Sequence, residues 1–306
     1  MTKVFIDGSA GTTGLRIYER LSSREDLELM ILPDEVRKDT TARKKAINSS
    51  DITFLCLPDA AAEESVSLCE NPDTVIIDTS TAHRTKEGWT YGFPELIGRE
   101  KIAASKRIAN PGCHASGFVA LIKPLVDAGI IGKDALLSCF SLTGYSGGGK
   151  GMIAEYEQEG RNELLSSPRQ YALSQSHKHL KEMSKICGLS YLPVFSPIVG
   201  DFYSGMEVSV GLHKSQINGS LEDIKRTYAN TYKGNIVKFK DNADEGGFLA
   251  SNAFSMLDSM EISVFGNEER ILLVSRFDNL GKGASGAAIQ NMNILLGVAE
   301  ETGLNV

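Results

Sequence analysis

Hydrophobic positions in the first hundred residues fall into short apolar runs separated by polar, helix-capable stretches. Residues 3–7 form a β-branched and aromatic run that stops at Gly8-Ser9-Ala10-Gly11-Thr12-Thr13-Gly14, after which Leu15, Tyr18 and Leu21 recur at helical spacing. Residues 27–32, 52–57 and 75–78 are three further strand candidates, and 59–69 is one of the helix-capable stretches between them. Apolar strands alternating with helices predict a doubly wound parallel sheet covered on both faces. Beyond residue 113 the pattern changes. Residues 115–127 read as a helix with Phe118, Val119, Ile122, Leu125 and Val126 on one side, and Pro124 should kink it or mark its last full turn. Strand-like runs at 135–143, 206–213, 236–239, 259–265 and 271–277 predict a mixed or antiparallel second sheet, with helices at 152–165 and 178–187. The last segment, 284–300, spaces Ala288, Met292, Leu295 and Ala299 as a helix that packs back on the first domain. The expected fold is α/β: a first domain over 1–113, completed by a C-terminal helix within 281–306, and a second, α+β domain over 114–280.

Composition narrows the function classes. A chain of 306 residues with 42% hydrophobic and 23% charged residues is long enough for one large domain or two ordinary ones. A formal net charge of −7, from 32 Lys+Arg against 39 Asp+Glu, argues against nucleic acid or an anionic membrane as the partner and leaves a small molecule. The longest apolar runs, 271–274 and 117–122, fall far short of the ~20 residues of a membrane helix. The N-terminus enters the first strand without a secretion leader, and five cysteines include no CxxC pair, so reduced thiols and a cytoplasmic location are expected.

Four segments carry candidate chemistry. The turn Gly8-x-x-Gly11-x-x-Gly14 lies between a strand and a helix, where glycines let backbone approach a pyrophosphate and Thr12 and Thr13 add hydroxyl donors. Asp34, twenty residues beyond Gly14, is placed to hold a ribose hydroxyl, whereas Arg37 and Lys38 suit a 2′-phosphate; NAD and NADP both stay open at this point. Asn110-Pro111-Gly112-Cys113-His114 sets a thiol at a turn just before an apolar helix, where unpaired N–H groups and the helix dipole favour thiolate. Cys113 is therefore the candidate nucleophile, and Cys56, Cys69, Cys139 and Cys187 read as structural. His177-x-His179-x-x-Glu182 offers an acid/base imidazole and substrate contacts; no cysteine nearby completes a zinc set, so no metal is expected. On a helix residues two apart point nearly opposite ways, so only one of the pair should face a given site unless the pair is extended. His83, His114 and His213 have no comparable company in sequence. Gly144 to Gly151 nearly completes the GxxxxGK[ST] phosphate cradle through Lys150, but Gly151 replaces the metal-holding hydroxyl, which weakens an ATP-dependent phosphotransferase reading. The glycine-rich run from Asp278 to Gly286 permits close approach by a ligand or another backbone.

In chain order, IDGSAGTTGLRI, DTSTAHR, GWTYGFPEL, NPGCHASGF, SLTGYSGGGKGMIAEYE, HKHLKEM and DNLGKGASGAAIQNMN resemble the shorter N-acetyl-γ-glutamyl-phosphate reductases of arginine biosynthesis. That family is related in fold to aspartate-semialdehyde dehydrogenases. The resemblance implies an NADP(H)-binding Rossmann domain, a second α+β domain and an assembly of two or four copies. It implies NADPH-dependent reductive dephosphorylation of an acyl phosphate through a cysteine thioester, with an aspartate-semialdehyde dehydrogenase-like reductase as the alternative. A dinucleotide-sensing regulator is the non-enzymatic alternative. Cys113 matches the nucleophile; His177, by preference, matches the acid/base; His179 and Glu182 match substrate contacts. Arg84, Ser146, Gly147 and Lys150 match substrate or phosphate contacts, and Gly8, Gly11, Thr12, Thr13, Gly14 and Asn279 the cofactor site. Two positions depart from the pattern: His114 stands where many members carry Tyr followed by Pro, and Lys181 where Pro is usual.

Overall fold

The computed structural model describes residues 1–306, which form two compact units: Met1–Gly112 with Ala284–Leu304, and Cys113–Gly283 with Asn305–Val306. The first unit runs β1 (Thr2–Asp7), α1 (Thr12–Leu21), β2 (Leu27–Met30), α2 (Thr40–Ser49), β3 (Ile52–Leu55), α3 (Asp59–Leu68), β4 (Val75–Asp78), β5 (Thr90–Tyr91), α4 (Pro94–Ile97), α5 (Arg99–Ala103) and β6 (Arg107–Ala109). Its sheet has the order β2-β1-β3-β4-β6-β5, and every pairing is parallel. Alternate residues of the strands face opposite sides. Val4, Ile6, Phe54, Ile77 and Ile108 pack with Ile17 and Leu21 of α1 and with Ala288, Ile289 and Met292 of the last helix of the chain. Phe5 packs with Ala46 and Ile47 of α2, and Leu55 and Ile76 with Ala62 of α3. Both faces are covered, so successive residues of β3 and β4 and the second half of β1 are buried whichever way they point. The order reverses between β1 and β3, the crevice at which open α/β sheets take their ligands.

The second unit contains α6 (Cys113–Asp127), β7 (Ser138–Gly144), α7 (Gly149–Glu157), β8 (Arg169–Gln170), α8 (His179–Cys187), β9 (Val194–Gly200), β10 (Met206–His213), α9 (Leu221–Thr231), β11 (Val237–Phe239), β12 (Met260–Gly266) and β13 (Arg270–Phe277). The chain ends with α10 (Gly286–Leu296), which belongs to the first unit. The second sheet is mixed, in the order β11-β12-β13-β10-β7-β9-β8, with β10 antiparallel to both β13 and β7. Met206, Val208, Val210 and Leu212 of β10 face inward. Gly117 lets α6 lie close there, since a Cβ on it would stand 2.4 Å from Val208 Cγ2. Pro124 stays within α6. Having no N–H, it leaves the Ala120 carbonyl without its helical donor, and the Tyr232 hydroxyl donates to that oxygen at 2.5 Å while Tyr228 donates to Leu121 O at 2.6 Å.

Several elements differ from expectation. The helix expected over 152–165 is α7 followed by a separate single turn at Glu163–Ser166, with Gly160 at φ +69° between them. β9, which the sequence pattern did not single out, carries Pro197 in its middle, a residue that argues against a strand. α10 starts at Gly286, after a wide helical turn over Gly281–Ser285.

Candidate active site

Cys113 is the first residue of α6 and is half-exposed. The other thiols stand in other surroundings. Cys139 and Cys187 are buried and their thiols are pushed up by burial, Cys56 is pushed up to about 12 by burial, and Cys69 meets Arg107 Nη2 at 3.6 Å. Asp278 folds the following loop against the start of α6. Its Oδ1 accepts from the N–H groups of Leu280 and Gly281, both at 2.7 Å, and its Oδ2 accepts from Met256 N–H at 2.6 Å. Gly283 then donates to Asp278 O at 3.0 Å. The glycine-rich run thus brings backbone up to the candidate nucleophile.

The two histidines of the HxHxxE segment converge. His177 lies ahead of α8 and His179 is its first residue, so the opposed directions expected of a helical pair do not arise. Their ring centroids are 4.7 Å apart at 84°, and His177 Nδ1 accepts the His179 N–H at 3.2 Å. A neutral His177 ring therefore carries its proton on Nε2. His179 and Glu182, three residues apart on one face of α8, are both buried.

His114, which the sequence left without company, sits among them. Its ring is 5.7 Å from His177, 5.6 Å from His179 and 5.3 Å from Phe195. Its Nδ1 is 2.7 Å from Ser141 Oγ and its Nε2 is 2.6 Å from Tyr171 Oη. Burial, and next the charge of His177, push His114 down to about 3, so it is neutral at ordinary pH. The signal in the sequence was the departure from the family pattern at this position. No group of three His, Cys, Asp or Glu residues is arranged to hold a metal.

The loop after β7 is not an ATP cradle. Tyr145 and Ser146 donate their N–H groups to the carbonyls of Phe202 and Tyr203, both at 2.9 Å, so these amides do not point at a phosphate. Ser146 is buried and accepts from Asn279 Nδ2 at 3.0 Å, while Asn279 Oδ1 accepts from Gly205 N–H at 3.0 Å. Asn279 thus engages Ser146 and Gly205 within the second unit. Gly147 follows Ser146, and a Cβ on it would stand 3.3 Å from Asn279 Nδ2. Lys150 is exposed in the first turn of α7.

In the first unit the glycine turn fits a dinucleotide phosphate. Gly8 has φ +89°, and a Cβ on it would strike Cys56 O at 2.4 Å; a Cβ on Gly14 would strike Gly8 O at 2.4 Å. Gly11 precedes α1, whose first turn begins with Thr12 and Thr13 and has no side-chain cap. A cavity of ≈ 130 Å³ is lined by Gly8, Ser9 and Ala10 together with Arg37 and Lys38. Asp34, 3.2 Å from Arg37, is mostly solvent-exposed. Arg84 is buried at the carboxyl ends of β4 and β6, its Nε donating to Asn110 O and its Nη2 to Thr79 O, both at 2.9 Å. Beside it His83 stacks on Trp89 at 4.0 Å and meets Asp78 Oδ2 at 2.6 Å.

Comparison with known proteins agrees with this architecture. Residues 33–105 match the semialdehyde dehydrogenase NAD-binding domain and residues 113–279 the semialdehyde dehydrogenase dimerisation domain. Solved aspartate-semialdehyde dehydrogenases share the fold: the Vibrio cholerae enzyme II at TM-score 0.74 and 18% identity, covering 96% of this chain and 98% of that one, and the Francisella tularensis enzyme at 0.73 and 15%, covering 97% and 100%. Curated relatives are much nearer in sequence. N-acetyl-γ-glutamyl-phosphate reductase 2 of Nostoc sp. is 44% identical over 99% of both chains, and the reductase of Chelativorans sp. is 43% identical over 96% of this chain and 98% of its own. The chain belongs to the N-acetyl-γ-glutamyl-phosphate reductase family.

Proposed function

We propose that the protein catalyses the NADPH-dependent reductive dephosphorylation of N-acetyl-L-glutamyl 5-phosphate to N-acetyl-L-glutamate 5-semialdehyde and phosphate, a step of arginine biosynthesis. The observation that carries the reading is a half-exposed cysteine at a helix start, followed by His114 whose ring packs with those of His177 and His179, in a chain 44% identical to a reductase of that name. Cys113 thiolate attacks the acyl-phosphate carbonyl, the N–H groups at the start of α6 stabilise the oxyanion, and phosphate departs with its bonding pair to leave a thioester. NADPH, when bound, supplies the hydride that reduces this thioester. The resulting alkoxide collapses to aldehyde and returns the thiolate.

Two imidazoles divide the tasks that the sequence gave to His177 alone. His177, protonated on Nε2 when neutral, suits donation to the carbonyl oxygen as charge develops there. His179, buried on the same helical face as Glu182, suits removal of the thiol proton, with the carboxylate offsetting the charge gained. We read Arg84, Ser146, Gly147 and Lys150 as substrate contacts, Arg84 being the bidentate partner of a carboxylate or phosphate. Gly8, Gly11, Thr12, Thr13 and Gly14 are read as holding the pyrophosphate, Arg37 and Lys38 the 2′-phosphate, and Asn279 as steadying Ser146.

We further infer a cytoplasmic homo-oligomer, a dimer or tetramer. Five cysteines with no disulfide among them suit a reducing compartment. The outer face of the second sheet exposes Phe140 (55%), Val194 (58%) and Leu272 (40%), and this unit matches a domain described by its dimerisation. The test of the activity is NADP⁺ reduction with phosphate and N-acetylglutamate semialdehyde, run beside aspartate semialdehyde. Faster turnover of the former is expected; preference for the latter transfers the chain to the sister activity.

A further inference from the structure

We infer that Gln175 is a positioning residue of the reaction site, whose side-chain amide stands in for a strand residue beside β9 and so fixes His177 against the rings around it. This rests on the reading of His177 as an acid/base group. The geometry begins with the register of β8 and β9, which pairs Arg169 with Val199 and Gln170 with Ile198. At the next position Tyr171 N–H still donates to Pro197 O at 3.0 Å, but Pro197 has no N–H to return. In an antiparallel ladder the following residues to exchange both bonds are Leu173 and Phe195. Leu173 does not take that place. The backbone turns out of the sheet at Ala172, φ +52°, and leaves Leu173 72% exposed. Gln175 makes both bonds instead: its Nε2 donates to Phe195 O and its Oε1 accepts from Phe195 N–H, each at 2.8 Å. The chain is thereby tied back to β9 two residues before His177.

This closure is strained. Gln175 itself has φ +56°, a left-handed conformation that a residue with a Cβ rarely adopts, and the residue is exposed. Hydrogen bonds rather than burial hold it there: the two to Phe195, and its own N–H to Ala172 O at 3.0 Å. Strain kept in a loop by its surroundings points to a geometric task. The rings show what that task is. Phe195, 1% exposed, stands edge-on to His177 at 5.2 Å and to His114 at 5.3 Å. Gln175 grips the backbone of Phe195 while the Phe195 ring bears on His177, so one residue of β9 sets both the chain entering His177 and the face its imidazole packs against.

A double-mutant cycle on the intact protein tests this. Gln175→Gly relieves the left-handed backbone and removes both side-chain bonds to Phe195. It should lower kcat for NADP⁺ reduction about ten- to a hundredfold, with KM for N-acetylglutamate semialdehyde within about twofold. In a His177→Asn background the same substitution should change kcat by less than about twofold, because no imidazole is left to position. An equal loss in both backgrounds overturns the inference, since Gln175 would then act on something other than His177; wild-type kcat in Gln175→Gly overturns it as well. Iodoacetamide labelling of Cys113 in Gln175→Gly should keep the wild-type rate, and slowed labelling would mean that the whole site is disturbed, which overturns a role confined to His177. Wild-type kcat in His177→Asn alone overturns the reading of His177, and this inference with it.

Discussion

Gly283 lies directly against Cys113: a Cβ on Gly283 would sit 3.0 Å from Cys113 Cβ and 3.0 Å from Asp278 O. The backbone on one side is held by the Asp278 carboxylate, so a side chain at 283 is relieved by moving the cysteine. A displacement of ~1 Å at a reacting atom costs about a hundredfold in rate. Gly283→Ala is expected to lower kcat by about that factor while its Kd for NADPH, measured by fluorescence quenching, stays within about twofold. A parallel loss of NADPH affinity would mean that the loop serves the cofactor instead.

The hydrogen bond from His179 N–H to His177 Nδ1 fixes the tautomer of a neutral His177, on which the proposed division of roles between the two imidazoles rests. His179→Ala is expected to slow iodoacetamide labelling of Cys113 near pH 7, because the thiol has lost its base. His177→Asn should leave labelling near the wild-type rate, and both variants should lose about 10²- to 10⁴-fold in kcat. Slow labelling in His177→Asn, with normal labelling in His179→Ala, would return both tasks to His177.

The parallel sheet was legible because β1, β3 and β4 are short, predominantly apolar runs with a glycine turn after the first. The alternation of Met206, Val208, Val210 and Leu212 likewise announced β10. β9 was hidden by Pro197, whose missing N–H is tolerated in this strand. Cys113 could be singled out because its setting, a turn before an apolar helix, is local. The company of His114 is not local: Ser141 comes from β7, Tyr171 from just after β8, and Phe195 from β9. The pairings of β7 and of β8 with β9 bring these together, and no spacing along the chain encodes them.

Arg37 and Lys38 line the cavity beside Gly8 while Asp34 pairs with Arg37, which favours a phosphate over a ribose hydroxyl. The double variant Arg37→Ala, Lys38→Ala is expected to raise Kd for NADPH about ten- to a hundredfold and to leave the weaker Kd for NADH unchanged. Asp34→Ala should tighten NADPH binding, since it removes the competitor for Arg37. Weaker NADH binding in Asp34→Ala would assign Asp34 to the ribose.

Phe140 lies on β7 opposite Ser209 of β10 and Ser196 of β9, with its ring on the outer face of the sheet. A charge placed there opposes burial against a second copy. Phe140→Asp is expected to sediment as a smaller species than the wild type at micromolar concentration, with unchanged far-ultraviolet circular dichroism. Equal sedimentation of the two proteins would locate self-association on another surface.

His114 also ties stability to pH. Its imidazole has an ordinary value of 6.5 and is held down to about 3 in the fold, by burial first and the charge of His177 second. Between those values the unfolded chain binds the proton and the folded chain does not, so stability is complete above pH 6.5 and falls as pH drops through the window. At pH 5 the loss from this residue is about 2 kcal/mol. Asp7 and Glu207, both raised by burial, act in the opposite sense, and they are common to wild type and variant. Urea denaturation at pH 7 and pH 5 isolates the histidine: His114→Gln is expected to show a pH 7 to pH 5 drop smaller than the wild type by about 2 kcal/mol. Equal drops would mean that His114 takes up its proton inside the folded protein, and the neutral hydrogen-bonded chain from Ser141 to Tyr171 would not hold.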